Sequence, residues 1–202
     1  MDFQLYQLLN GFAYRHDQAE DVLRFFALDA QFLFVALLGV LFVARGKWRS
    51  VNGRHGVVAA GFSATLALGI AQVIAHIWQR PRPYMAHDTV AHLFIPVSHD
   101  PSFPSDHATA AFAIAIAILL RHRKAGLAAL AMATMLSVAR VAVGTHYPGD
   151  VVAGALLGTF AALVFWSPVL RGPLHSAADW IGRQYDLTAA RLLRRGAGAT
   201  PV

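Results

Sequence analysis

Three short stretches of the 202-residue chain carry side chains whose types suit chemistry on phosphate. Arg80-Pro81-Arg82-Pro83-Tyr84 sets two guanidiniums in a turn that its prolines stiffen. Phe103-Pro104-Ser105-Asp106-His107 opens an apolar run. Ser105 suits an N-cap, Asp106 suits the positive end of a helix, and the free backbone N–H groups there form an anion site. His107 then enters the apolar helix as an ionisable residue, which capping does not explain. Arg140 lies late in another apolar segment and calls for an anionic partner. His146 and Asp150 follow four residues apart, a spacing that lets a carboxylate hold one imidazole nitrogen and leave the other free.

Arginines and a helix N-terminus neutralise phosphate oxygens, a histidine oriented by a carboxylate attacks phosphorus, and a second histidine protonates the departing oxygen. That combination is metal-free phosphoryl transfer through a phosphohistidine, with no cofactor expected. Each group also has a plainer use: interfacial anchoring for Arg80 and Arg82, capping for Ser105 and Asp106. A single metal held by His107, His146 and Asp150 is the minor chemical alternative.

The elements that must position these residues are membrane helices. Hydrophobic residues make up 56% of the chain and charged ones 14%, against roughly 25% charged in a soluble domain. Mean hydropathy is +0.48. Five apolar blocks, Ala27 to Ala44, Val57 to Trp78, Ser105 to Leu120, Ala125 to Gly144 and Val151 to Leu170, predict five spanning helices, the third of them short. Amphipathic segments at Met1 to Arg24 and Leu174 to Arg195 predict interfacial helices, and Gly196 to Val202 is expected to be disordered. The expected architecture is therefore an all-α polytopic bundle, with a membrane domain over residues 1–171 and a basic cytoplasmic tail over 172–202.

The absence of cysteine excludes disulfides and thiolate chemistry. The net charge of +6 has a topological explanation. Arg45, Lys47, Arg49 and Arg54 follow the first span, Arg121, Arg123 and Lys124 the third, and Arg171, Arg183, Arg191, Arg194 and Arg195 lie in the tail. The Thr145 to Asp150 loop has no Lys or Arg. Positive-inside reasoning puts the N-terminus outside, the C-terminus inside, and all three chemical groups on the outer face. Nucleic acid is not an expected partner.

The three groups together resemble the type 2 phosphatidic acid phosphatase superfamily of membrane lipid phosphatases. Its pattern is Lys-x6-Arg-Pro, Pro-Ser-Gly-His and Ser-Arg-x5-His-x3-Asp; here Arg82-Pro83, Pro104-Ser105-Asp106-His107 and Arg140 to His146 to Asp150 match in order. The resemblance implies His146 as nucleophile, Asp150 as its orienting partner and His107 as general acid. It implies Arg82, Ser105 and Arg140 as phosphate ligands. The family lysine falls at Ala75, the serine before the third-motif arginine at Ala139 and the second-motif glycine at Asp106. Arg80 or His76 is expected to supply the missing positive charge, and Arg80 or protonation to relieve Asp106.

Phe-Pro-Ser-Asp-His and Gly-Thr-His-Tyr-Pro-Gly-Asp are similar to the bacterial branch acting on undecaprenyl diphosphate. This implies an enzyme of the bacterial inner membrane that meets a polyprenyl diphosphate among membrane lipids and releases the monophosphate carrier plus phosphate. The alternatives are a phosphatase for phosphatidylglycerophosphate or phosphatidic acid, or a non-catalytic phospholipid binder or transporter. Nothing in the sequence sets an oligomeric state.

Overall fold

The computed structural model describes residues 1–44 and 51–197, with side chains described up to residue 192. The charges expected at Arg45, Lys47 and Arg49, the side chains of Arg194 and Arg195, and the tail end at residues 198–202 lie outside the described residues. Nine helices and no strand occur among the described residues: α1 (Asp2–Tyr14), α2 (Asp17–Leu28), α3 (Ala30–Val43), α4 (Val51–Ile77), α5 (Pro83–Ala86), α6 (Asp106–Leu119), α7 (Arg123–Ala142), α8 (Pro148–Trp166) and α9 (Pro168–Ala197). The all-α polytopic bundle read from the apolar blocks is the architecture observed.

Local sequence explains where the central helices start. Ser105 caps α6, its side chain accepting from the Ala108 N–H. Pro148 opens α8 at a position where no backbone donor is needed, and the Asp150 carboxylate reaches back to the Tyr147 N–H at 2.8 Å. α6 is the hub, packed on α8, α4 and α7. Its buried face is largely alanine (Ala108, Ala111, Ala113, Ala115, Ala117). α8 answers with glycine: a Cβ at Gly158 would stand 2.3 Å from the Thr109 carbonyl oxygen and one at Gly154 2.7 Å from that of Ser105. Backbones this close pack through van der Waals contact without needing an apolar driving force, which a bilayer does not provide.

The expected spans divide into three kinds. α4, α7 and α8 are each long and apolar enough to cross a bilayer. The first block is not one helix: α2 and α3 meet at Asp29 with a 51° bend and reach spanning length only as a pair, because α3 has 14 residues. α6, also of 14 residues, is short, as its apolar run predicts. The expected domain boundary at 171/172 falls inside α9, which continues through Pro173 and buries Leu174 and Ala178 against the bundle. The N-terminal amphipathic segment forms α1 and α2, and α1 packs on α7 and α8 rather than standing apart.

Candidate active site

The chemistry-bearing residues meet at one end of the bundle, where α4 ends, α6 and α8 begin and α7 turns over. His146, between α7 and α8, is 2% exposed. Its Nδ1 lies 2.9 Å from the Ser102 carbonyl oxygen. A carbonyl only accepts, so Nδ1 carries the hydrogen and Nε2 keeps its lone pair. Burial pushes His146 down to about 4 from the ordinary 6.5; Asp150 opposes the shift, and Arg140 and Arg82 add to it. The imidazole is therefore neutral at physiological pH.

Asp150 Oδ2 stands 3.8 Å from His146 Nδ1, near enough to respond to charge on the ring but too far for a hydrogen bond. The carboxylate is fully buried and saturated instead by the Ser102 hydroxyl, the Tyr147 N–H and Arg80 Nη1, the last at 2.6 Å. Asp150 thus holds Ser102, whose carbonyl aims the histidine.

Arg80, expected at the phosphate, is engaged elsewhere. Its second nitrogen donates to Asp2 at 2.8 Å, and its guanidinium stacks over the Tyr147 ring at 3.9 Å. It locks α1, α8 and the 78–105 loop together. The expected pairing of Arg80 with Asp106 is replaced by Gln72 Nε2 donating to Asp106 at 2.8 Å.

Arg82 and Arg140 differ from Arg80 in kind. Both are 6% exposed. Arg82 donates to the carbonyls of Asp100 (2.8 Å) and Thr145 (3.3 Å), Arg140 to that of Ala27 (3.3 Å), and the Arg140 Nε has no partner. Neither forms an ion pair among the described residues. A buried cation without a counter-charge is costly, and a dianionic phosphoryl group would repay that cost. The fields of Arg140, His146 and Arg82 all reach His107, half-buried one residue into α6. Ser105, wholly buried, caps that helix. The described residues contain no cluster of three His, Asp or Glu side chains able to hold a metal ion.

Sequence reasoning passed over Ser102, Asp2 and Gln72. Asp2 lies 148 residues before Asp150, so only tertiary folding joins them through Arg80. Ser102 sits two residues before Pro104 in a stretch without helical or strand periodicity, and its contribution is a backbone carbonyl, which residue type does not reveal.

Residues 56–171 match the model of the PAP2 superfamily. Undecaprenyl-diphosphatase BcrC of Bacillus subtilis is 27% identical over 96% of this chain and 97% of its own. The bacitracin transport permease protein BcrC of Bacillus licheniformis is 31% identical over 83% of this chain and 80% of its own. The crystal structure of Aquifex aeolicus LpxE superposes with a TM-score of 0.66 at 25% identity, covering 81% of this chain and 93% of that one. With a family model covering more than half its length, full-length relatives and a shared fold, this chain is a multi-pass membrane member of the PAP2 superfamily.

Proposed function

We propose that the chain hydrolyses a polyprenyl diphosphate, undecaprenyl diphosphate above all, to the monophosphate and orthophosphate. The observation that carries this reading is the pair Arg82 and Arg140, buried without carboxylates beside a neutral histidine whose Nδ1 is committed to a carbonyl. Nε2 of His146 attacks the terminal phosphorus as the bond to the bridging oxygen breaks. His107 gives that oxygen its proton. Arg82, Arg140 and the N–H groups at the start of α6, which Ser105 caps, take up the charge spread over the phosphoryl oxygens. Asp150, 3.8 Å away, balances the positive charge that develops on the ring. In the second step His107 takes a proton from water, the water oxygen attacks phosphorus, and the N–P bond breaks to release phosphate. Arg80 is a positioning residue for Asp150.

The B. subtilis relative, similar over nearly its whole length, supports the diphosphate substrate. The alternation of loop charge supports a site on the extracytoplasmic side of a bacterial inner membrane. The B. licheniformis relative, a transport permease protein by name, favours a second reading, a carrier of phosphorylated lipid. Phosphate release from undecaprenyl diphosphate by purified protein, with EDTA present, separates the two. Turnover by wild type and a loss of about 10⁴-fold or more in His146→Ala is expected, the scale for removing a nucleophile. Full release by His146→Ala, or dependence on an added metal, would overturn the mechanism; tight lipid binding without turnover would favour the carrier.

A further inference from the structure

Asp106 occupies the place of the family's glycine, and the reaction above leaves it unused. It is the first residue of α6, between the Ser105 cap and His107. The fields of Arg82 and Arg140 reach it without forming an ion pair, and the helix start supplies positive potential for its carboxylate. Its bond is to Gln72 of α4. An ionised carboxylate only accepts, so it fixes the Gln72 amide with the NH₂ group turned toward it. One Nε2 hydrogen is used in that bond; the second has no acceptor among the described residues. Gln72 and Asp106 line an open groove of about 420 Å³ with Gln31, Leu68, His107 and Ala110, and the Gln31 amide, exposed like that of Gln72, has no partner among the described residues.

In phosphoryl transfer the entering and leaving groups lie on opposite sides of phosphorus. With His146 entering and His107 protonating the leaving oxygen, the leaving group lies beside His107, which lines both this groove and an apolar pocket with Phe34, Leu38 and Ile114; a charged leaving group suits the groove, where Gln72 stands. A monoester leaves an alcohol there, which needs one proton. A diphosphate leaves a second phosphate, whose oxygens need donors. We propose that Gln72, held by Asp106, and Gln31 form a subsite for the non-transferred phosphate, so that Asp106 is a positioning residue selecting diphosphates over monoesters. This rests on the diphosphatase reading and adds to it the residues that would recognise the second phosphate.

The test measures kcat and KM on undecaprenyl diphosphate and on phosphatidic acid for the purified chain and four variants, each checked for monodispersity. Gln72→Leu and Asp106→Gly each lower the diphosphate-to-monoester ratio of kcat/KM by about tenfold, the scale of one hydrogen bond to a charged group. Asp106→Asn keeps a carbonyl acceptor for Gln72 and stays within about twofold of wild type, whereas loss of a purely electrostatic role would not be rescued. Asp106→Gly combined with Gln72→Leu lowers the ratio no further than either alone, because one acts through the other. An unchanged ratio in Gln72→Leu, or additive losses in the double variant, would overturn the subsite while leaving the diphosphatase intact. A wild type that turns over only phosphatidic acid would overturn the diphosphatase reading, and the subsite with it.

Discussion

Arg54 at one end of the bundle and Arg82 with Arg140 at the other are buried with opposite kinds of partner, while Arg121, near Arg54, receives only the carbonyls of Ala117 and Phe165. Where α4 begins, Arg54 makes a fork with Asp186 of α9, both bonds 2.8 Å, and donates to the Phe42 carbonyl between the Phe42 and Tyr185 rings. Beside it His55 bonds Asp179 at 2.8 Å. The fold itself supplies the counter-charge, and the product is attachment: α9 is held to α4. At the other end Arg82 and Arg140 are as deeply buried and receive only carbonyl oxygens. Carbonyls fix where a guanidinium points without cancelling its charge. Burial of an arginine therefore says little about its role until the charge of its partner is known.

The contrast is most exposed to Arg140→Ala and Arg82→Ala. Each is expected to lower kcat/KM by about 10²–10³-fold, as removal of one transition-state donor does. The melting temperature should hold steady or rise, because an uncompensated buried charge is lost. Near-normal turnover in either variant breaks the comparison. At the opposite end, Asp186→Ala strands Arg54 and is expected to cost about 1–2 kcal/mol, less than a fully buried pair because Asp186 is one-third exposed. Thermal unfolding in detergent measures this, and turnover per folded molecule should be unchanged; a loss of turnover without a loss of stability would contradict it.

The smallest expected effect is in pH. With the neutral form of His146 as the proposed nucleophile and its affinity for a proton pushed down to about 4, reactivity is expected above that value and lost as pH falls through it. The alkaline limb of the profile reports the proton that His107 must carry as general acid; on the acid limb kcat/KM should hold until pH falls toward about 4. An acid-limb midpoint at the ordinary imidazole value would mean that His146 is solvated during turnover.

Long apolar blocks made α4, α7 and α8 legible, since length and hydropathy alone decide whether a helix can cross a bilayer. Loop charge grouped Arg82, Ser105, His107, Arg140, His146 and Asp150 on one face, and the structure brings them to one end. What escaped was partner choice. Arg80 and Arg82 are two residues apart in a repeating Arg-Pro pattern, yet one meets two carboxylates and the other meets carbonyls. That difference depends on Asp2 and Asp150, which folding delivers from opposite parts of the chain. The break at Asp29 and the passage of α9 through Pro173 were equally hidden, because tertiary packing overrides local preference at both places.

The brevity of α6 sets a depth. Fourteen residues extend about 21 Å, against a hydrocarbon layer of about 30 Å, whereas the 27 residues of α4 extend about 40 Å. A helix so short cannot bring both of its ends to the surface. If the sunken end is the one that carries Ser105 and His107, a phosphoryl group bound there as proposed lies below the headgroup plane, and water must descend with it. The thickness of the surrounding bilayer becomes a variable of the reaction, acting on how far a headgroup travels before any side chain touches it.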